Sequence, residues 1–256
     1  MDLVEYSVEN AVALVRLNRS PVNALSAQLS KDLLEAFSMA ADPEVRAVVV
    51  TGQPHFAAGA DIKGFQLAYD GADDGGGLAS VLAQAVRALE QLAKPTFAAV
   101  HGYALGGGLE LAMGADFRYM SDDASVGQPE IKLGIIPGAG GTQRLPRIVG
   151  FQKAKELNFT GRHIGAEEAH AIGLADKVFP VDHLLPATLK EAEKLATGPT
   201  VALGAARRAM NEGWGKPIDE AMAVEAAAFQ DCFWTEDAKE GVAAFIEKRK
   251  PDFQGR

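Results

Sequence analysis

Two carboxylates are set apart by their surroundings: Glu110 in GYALGGGLELA and Glu130 in VGQPEIKLGIIPGAGGTQRLP, each delivered by glycine-punctuated sequence. A pair of glutamates brought into one pocket can share the proton transfers of general acid and base catalysis. Glu110 lies three residues after Gly107, and positions i and i+3 share a helix face. A helix starting near Gly107 leaves that residue's N–H without an intrahelical partner, at the positive end of the helix dipole. A carboxylate and a backbone donor then face the same small volume. Leu109, Leu111, Ala112 and Met113 around Glu110 are apolar, so burial would raise its pKa toward neutrality. The plainer alternatives are a water-exposed first-turn glutamate at 110 and an ordinary loop carboxylate or helix-start residue at 130.

A second stretch of small residues, FAAGADI (56–62), can bring another backbone N–H to the rim of a pocket, as GYALGGGLE (102–110) does. Two such donors make an oxyanion hole, where loss of one typically costs about 3 kcal/mol of transition-state stabilisation. The glycines would serve tight strand-to-helix packing equally well.

The elements that must position these groups read as alternating strands and helices. AVALVRL (11–17) is a strand, NRSPVN (18–23) a turn, and a helix follows Ser26 with Leu29, Leu33, Leu34 and Phe37 as its stripe. VRAVVVT (45–51) is a buried strand, residues 78–92 form an amphipathic helix ended by Lys94-Pro95, and TFAAV (96–100) is the strand leading to the helix of Glu110. DGADDGGG (70–77) is low-complexity sequence expected to be a loop. The order predicts an α/β protein with parallel pairing. An internal echo accompanies it: VVVTG leads to FAAGADI as FAAVHG leads to YALGGG. Beyond about residue 196 three Ala-rich helical patterns (199–211, 217–233, 237–248) run without an intervening strand, so the chain divides into a core (1–195) and a helical region (196–256). That region caps the core of its own chain or forms a packing surface for association.

With 256 residues, 48% of them apolar, the chain can bury a substantial core. A net charge of −9 argues against nucleic acid as a partner. Cys232 is the single cysteine, which excludes an intramolecular disulfide and a cysteine zinc cluster. The acidic N-terminal stretch resembles neither a secretory signal nor a transit peptide, and no apolar run reaches the 18 residues of a spanning helix; a cytoplasmic protein without a membrane partner is expected. There is no G-x-S-x-G elbow, no H-E-x-x-H helix, no Walker lysine in GAGGT, no G-x-G-x-x-G after the first strand, and no ligand spacing among the five histidines. No metal is expected.

FAAGADI, HGYALGGGLELAMGADFRY, GQPEIKLGIIPGAGGTQRLPRIVG and TEDAKEGVAAFIEKRKPDF, in this order, resemble the enoyl-CoA hydratase/isomerase (crotonase) family, with a likeness running from about Asn18 to Phe253. The resemblance implies an α/β crotonase-like spiral of ββα repeats with a C-terminal helical trimerisation region, and a homotrimer or a hexamer built as a dimer of trimers. It implies oxyanion-hole amides at Ala60 and Gly107, catalytic glutamates at Glu110 and Glu130, and reversible syn addition of water to a trans-2-enoyl-CoA. The acyl-CoA thioester is then substrate, and no separate cofactor is needed. Val22, Ala24, Ala58, Asp61, Ile62, Lys63 and Gly64 match segments that hold coenzyme A, largely through backbone atoms; Lys248 and Lys250 match a region that can reach a neighbouring subunit's coenzyme.

His101 stands where such sequences usually have Asn. The segment between Asp61 and Glu110 shapes the acyl pocket in the family, and here it contains the acidic glycine-rich stretch. A Δ3,Δ2-enoyl-CoA isomerase usually needs one carboxylate, so two point to a hydratase, and intact glutamates with both amide-bearing loops argue against a non-catalytic acyl-CoA-binding protein.

Overall fold

A computed structural model describes residues 1–70 and 76–256. A hairpin of β1 (Val4–Glu9) and β2 (Val12–Leu17) is followed by α1 (Ala27–Met39), β3 (Ala47–Gly52), α2 (Ile62–Tyr69) and α3 (Gly76–Gln91). Next come β4 (Thr96–Val100), β5 (Tyr103–Leu105), α4 (Gly107–Met113), β6 (Phe117–Ser121), β7 (Ser125–Gly127) and a 3-10 turn (Pro129–Leu133). The chain continues through α5 (Gly141–Val149), α6 (Phe151–Thr160), β8 (Ile164–Gly165), α7 (Ala166–Ala171), β9 (Lys177–Phe179) and α8 (Val181–Ala196). It finishes with α9 (Thr200–Gly213), α10 (Ile218–Phe233) and α11 (Glu236–Glu247). Of the expected loop at 70–77, residues 71–75 lie outside the described residues, whereas Gly76 and Gly77 already belong to α3.

Among the described residues the strands form two sheets. The larger has the order β1-β2-β3-β4-β6-β9, with β1 antiparallel to β2 and the remaining pairs parallel. The smaller has the order β5-β7-β8 and is extended by the parallel bridges Ala57↔Ala104 and Leu25↔Ala60. Successive passes of the chain therefore place one strand in the large sheet, then a short one in the small sheet, then a helix: the ββα spiral. The internal echo is this repeat, since Phe56 N–H donates to the His101 carbonyl and Ala57 N–H to the Tyr103 carbonyl.

Parallel strands covered on both faces read as continuous apolar runs, which is how AVVVT and TFAAV behave. Val48, Val50, Ala98 and Val100 face a core shared with Leu29, Leu33 and Phe37 of α1 and with Leu89, Leu109 and Leu111. Alternate residues Val12, Ala47, Val49, Phe97 and Ala99 pack beneath Leu184 and Ala192 of α8. Each fully buried Leu or Phe contributes about 1.5–3 kcal/mol, so these two layers hold the sheet in place. Ser26 caps α1 by accepting from the Leu29 N–H at 3.2 Å. Arg207 of α9 is pinned to the core through Asp116 Oδ1 (2.6 Å) and the carbonyls of Glu90 and Leu92. Among the described residues no helix is long and apolar enough to cross a membrane.

Candidate active site

The site is built where the small sheet feeds α4. Gly106 precedes the helix with φ 51° and ψ −122°, a region that side-chain-bearing residues avoid. This turn makes Gly107 the first helical residue, so its N–H has no acceptor within the helix. Gly108 is needed for a different reason: a Cβ there would collide with the Ala57 carbonyl, so its absence lets α4 close onto the neighbouring repeat.

Ala60 reaches the same region from the preceding repeat. Its bridge to Leu25 is made by the flanking groups, Leu25 N–H to the Gly59 carbonyl (2.7 Å) and Asp61 N–H to the Leu25 carbonyl (3.0 Å). The Ala60 N–H therefore points to the other side, as the middle residue of a parallel bridge does. The Leu105 carbonyl lies 3.2 Å from the position of a Cβ at Gly59, which sets the Ala60 segment against the turn ending at Gly107.

Both glutamates border that turn. A Cβ at Gly106 would lie 2.5 Å from Glu130 Oε1, and one at Gly107 would lie 3.9 Å from Glu110 Oε2. Glu110 is 2% exposed, which removes the water-exposed alternative; its Oε1 accepts from the N–H groups of Ala139 and Gly141, each at 2.7 Å. Burial raises its pKa, while these donors and the Arg144 cation restrain the rise. Glu130, in the 3-10 turn, is half-buried; burial, aided by the negative charge of Glu110, pushes it up to about 7. Gln128 is completely buried, and with its amide turned to suit its neighbours the nitrogen donates to Glu130 Oε2 and Oε1 at 3.0 and 3.1 Å.

The expected coenzyme segments are zipped together beside Ala60. Ala58 N–H donates to the Val22 carbonyl (3.0 Å) and Gly64 N–H to the Asp61 carbonyl (2.9 Å). Arg19 joins the two strips by donating to the Ala24 carbonyl (2.5 Å) and to Asp61 Oδ2 (2.6 Å). Ile62 opens α2 and is 52% exposed. The Lys63 side chain lies outside what the structure describes. Lys248 caps α11 and, like Lys250, is exposed.

Gln128, the Ala139–Gly141 donors and Arg19 were not singled out from sequence. The glycines of PGAGG form the turn into a helix, since α5 starts at Gly141. The overlooked signal is that a glycine-rich helix start offers unpaired N–H groups to an anion; here the anion is a side chain of the same chain.

A sequence model of the family described as "Enoyl-CoA hydratase/isomerase" matches residues 7–256, and the chain belongs to that family. Among its relatives, the "Crotonyl-CoA hydratase" of Syntrophomonas wolfei subsp. wolfei is 44% identical over 250 residues, covering 96% of this chain and 95% of the relative. The "Short-chain-enoyl-CoA hydratase" of Clostridium acetobutylicum is 43% identical, covering 94% of each. The crystal structure of an enoyl-CoA hydratase from Bacillus anthracis superposes with a TM-score of 0.92 at 36% identity, covering 99% of this chain and 100% of that one.

Proposed function

We propose that the protein is an enoyl-CoA hydratase that adds water reversibly across the C2–C3 double bond of a trans-2-enoyl-CoA, in fatty-acid or related acyl-CoA degradation. The observation carrying this reading is the convergence of two carboxylates of raised pKa on the turn that presents the Gly107 N–H. The N–H groups of Ala60 and Gly107 bind the thioester oxygen and stabilise the negative charge it takes on as water attacks C3. Glu110, with two backbone donors on one oxygen, serves as carboxylate toward the water and takes its proton as the C3–O bond forms. Glu130, poised near neutrality, delivers a proton to C2. The two glutamates titrate as a coupled pair, so the water's proton replaces the one spent. The zipped strips carrying Val22, Ala24, Ala58 and Asp61–Gly64 line the approach of the coenzyme.

Association as a homotrimer or a dimer of trimers belongs to the same proposal. It is supported by apolar side chains left open on the C-terminal helices, with Trp214, Trp234 and Phe245 66%, 70% and 86% exposed. The acidic, single-cysteine composition supports a cytoplasmic setting.

The test is the loss of enoyl-thioester absorbance when crotonyl-CoA meets the protein, with 3-hydroxybutyryl-CoA identified as product. Absence of hydration at high protein concentration, with a 3-enoyl-CoA converted instead, would overturn the hydratase in favour of the isomerase.

A further inference from the structure

Behind the loop that holds Glu110 sits an ion pair that the proposed reaction does not use directly. Arg144 of α5 donates through Nε to Glu90 Oε1 (3.1 Å) and through Nη2 to Glu90 Oε2 (2.9 Å). Its remaining arm, Nη1, donates to the Ala139 carbonyl at 2.9 Å. Arg87 adds a further donor to Glu90 Oε2 at 2.9 Å. The side chains of Arg144 and Glu90 are only 17% and 24% exposed.

The loop is thus gripped from two sides. Inside, Ala139 and Gly141 turn their N–H groups onto Glu110 Oε1; outside, the Ala139 carbonyl is tied to Arg144. Gly140 between them adopts φ 108°, and the Arg144 guanidinium fills the space a Cβ would need. An isolated surface pair would contribute little. This one spans three acceptors with the planar fork of an arginine, and a lysine could supply the charge but not the same three bonds.

We propose that Arg144, clamped by Glu90, is a positioning residue for the reaction, fixing the Glu110 carboxylate from behind through the backbone of Ala139–Gly141. The inference rests on the reading of Glu110 as a catalytic group. The charges around Glu110 are Glu130 from the 3-10 turn and Arg144 from α5, with Glu90 and Arg87 of α3 behind the arginine. The Arg144 cation favours the carboxylate form of Glu110, so its loss raises the pKa of Glu110 further and loosens the loop together.

The experiment is the pH dependence of kcat for crotonyl-CoA hydration in Arg144→Met, Arg144→Lys and Glu90→Gln, with circular dichroism confirming the fold. Arg144→Met is expected to lose about 10- to 100-fold in kcat, the scale of a small misplacement of a catalytic group, with KM nearly unchanged and the acidic limb moved to higher pH. Arg144→Lys keeps the charge, so its limb stays near the parent's while kcat falls less; Glu90→Gln frees the guanidinium from its clamp and lowers kcat by a smaller factor than Arg144→Met, but it removes an anion and keeps the cation, so its limb does not move to higher pH. A parental profile in Arg144→Met overturns the proposal, as does a change confined to KM or an equal kcat loss in the Met and Lys variants with the limb unmoved. If Arg144→Met fails to fold, Glu90→Gln decides: a kcat equal to the parent's, or a change confined to KM, overturns the proposal. Glu110→Gln separates the two levels: parental turnover in that variant defeats the catalytic reading of Glu110 itself, whereas its inactivity beside an unaffected Arg144→Met defeats only the role of Arg144.

Discussion

The two glutamates are chemically identical side chains held by opposite kinds of scaffolding. Every residue of α4 around Glu110 is buried, and its carboxylate is gripped by backbone N–H groups that have no freedom to turn away. The 3-10 turn around Glu130 has no fully buried residue; Ile131 and Leu133 are 41% and 55% exposed, and the carboxylate is met by the side-chain amide of Gln128. Burial raises both groups, but donors and a cation restrain Glu110, whereas Glu130 has a negative neighbour and reaches about 7. A pair with one rigidly placed member and one that exchanges protons near neutrality suits a reaction in which a water must be held and a proton delivered.

The largest expected effect comes from removing either carboxylate. Glu110→Gln and Glu130→Gln should each lower kcat for crotonyl-CoA hydration by about 100- to 10,000-fold, while acyl-CoA binding persists in calorimetry; parental turnover in one of them would leave the chemistry to the other alone.

Gly106→Ala attacks the comparison from its shared turn. A methyl group there is disfavoured by the positive φ and sits 2.5 Å from Glu130 Oε1, so kcat should fall by about 10- to 100-fold. Combined with Glu130→Gln, the losses should be non-additive, because both act through one carboxylate; simple addition in the double variant would contradict that.

Gly108→Ala tests packing instead of chemistry. Its Cβ would press on the Ala57 carbonyl, and overpacking of this kind costs about 1–3 kcal/mol, readable as a lower denaturant midpoint.

The smallest effect is a pH dependence of stability due to Glu130. Its folded-state pKa of about 7 lies above the ordinary glutamate value of 4.5, so the folded protein binds the proton more tightly than the unfolded chain. That stabilisation is complete below about 4.5 and is lost as pH rises through about 7. With solvent screening at this half-open site discounted, the loss is on the order of 1–2 kcal/mol. Urea midpoints at pH 5 and pH 8 should differ less in Glu130→Gln than in the parent; equal differences would show that Glu130 is not perturbed.

Strands with buried faces were legible because VVVT and TFAAV leave no polar alternation, and α1 because Ser26 and the Leu29–Leu33–Phe37 stripe agree. The helix start at Gly107 was legible from its glycines. β5 was not: three residues after Gly102 carry too little pattern to separate a strand from a loop, and only pairing with β7 defines it. Strand order alone also left the sheet count open, since the same alternation could have wound into one sheet; the bridges Ala57↔Ala104 and Leu25↔Ala60 create the second. The grip on Glu110 was hidden because its donors lie 29 and 31 residues downstream, in a stretch whose glycines explain themselves as a turn.

By itself the sequence determined which groups are available: two glutamates, glycines that permit close backbone approach, and an apolar setting that raises the pKa of whatever carboxylate is enclosed. These are consequences of residue type and short spacing. How each glutamate is held, and by what its pKa is set, was decided only by the tertiary structure. That distinction depends on backbone donors, a guanidinium and a neighbouring charge brought together from separate turns of the spiral, and electrostatic interactions of this range follow distance in space, not distance along the chain.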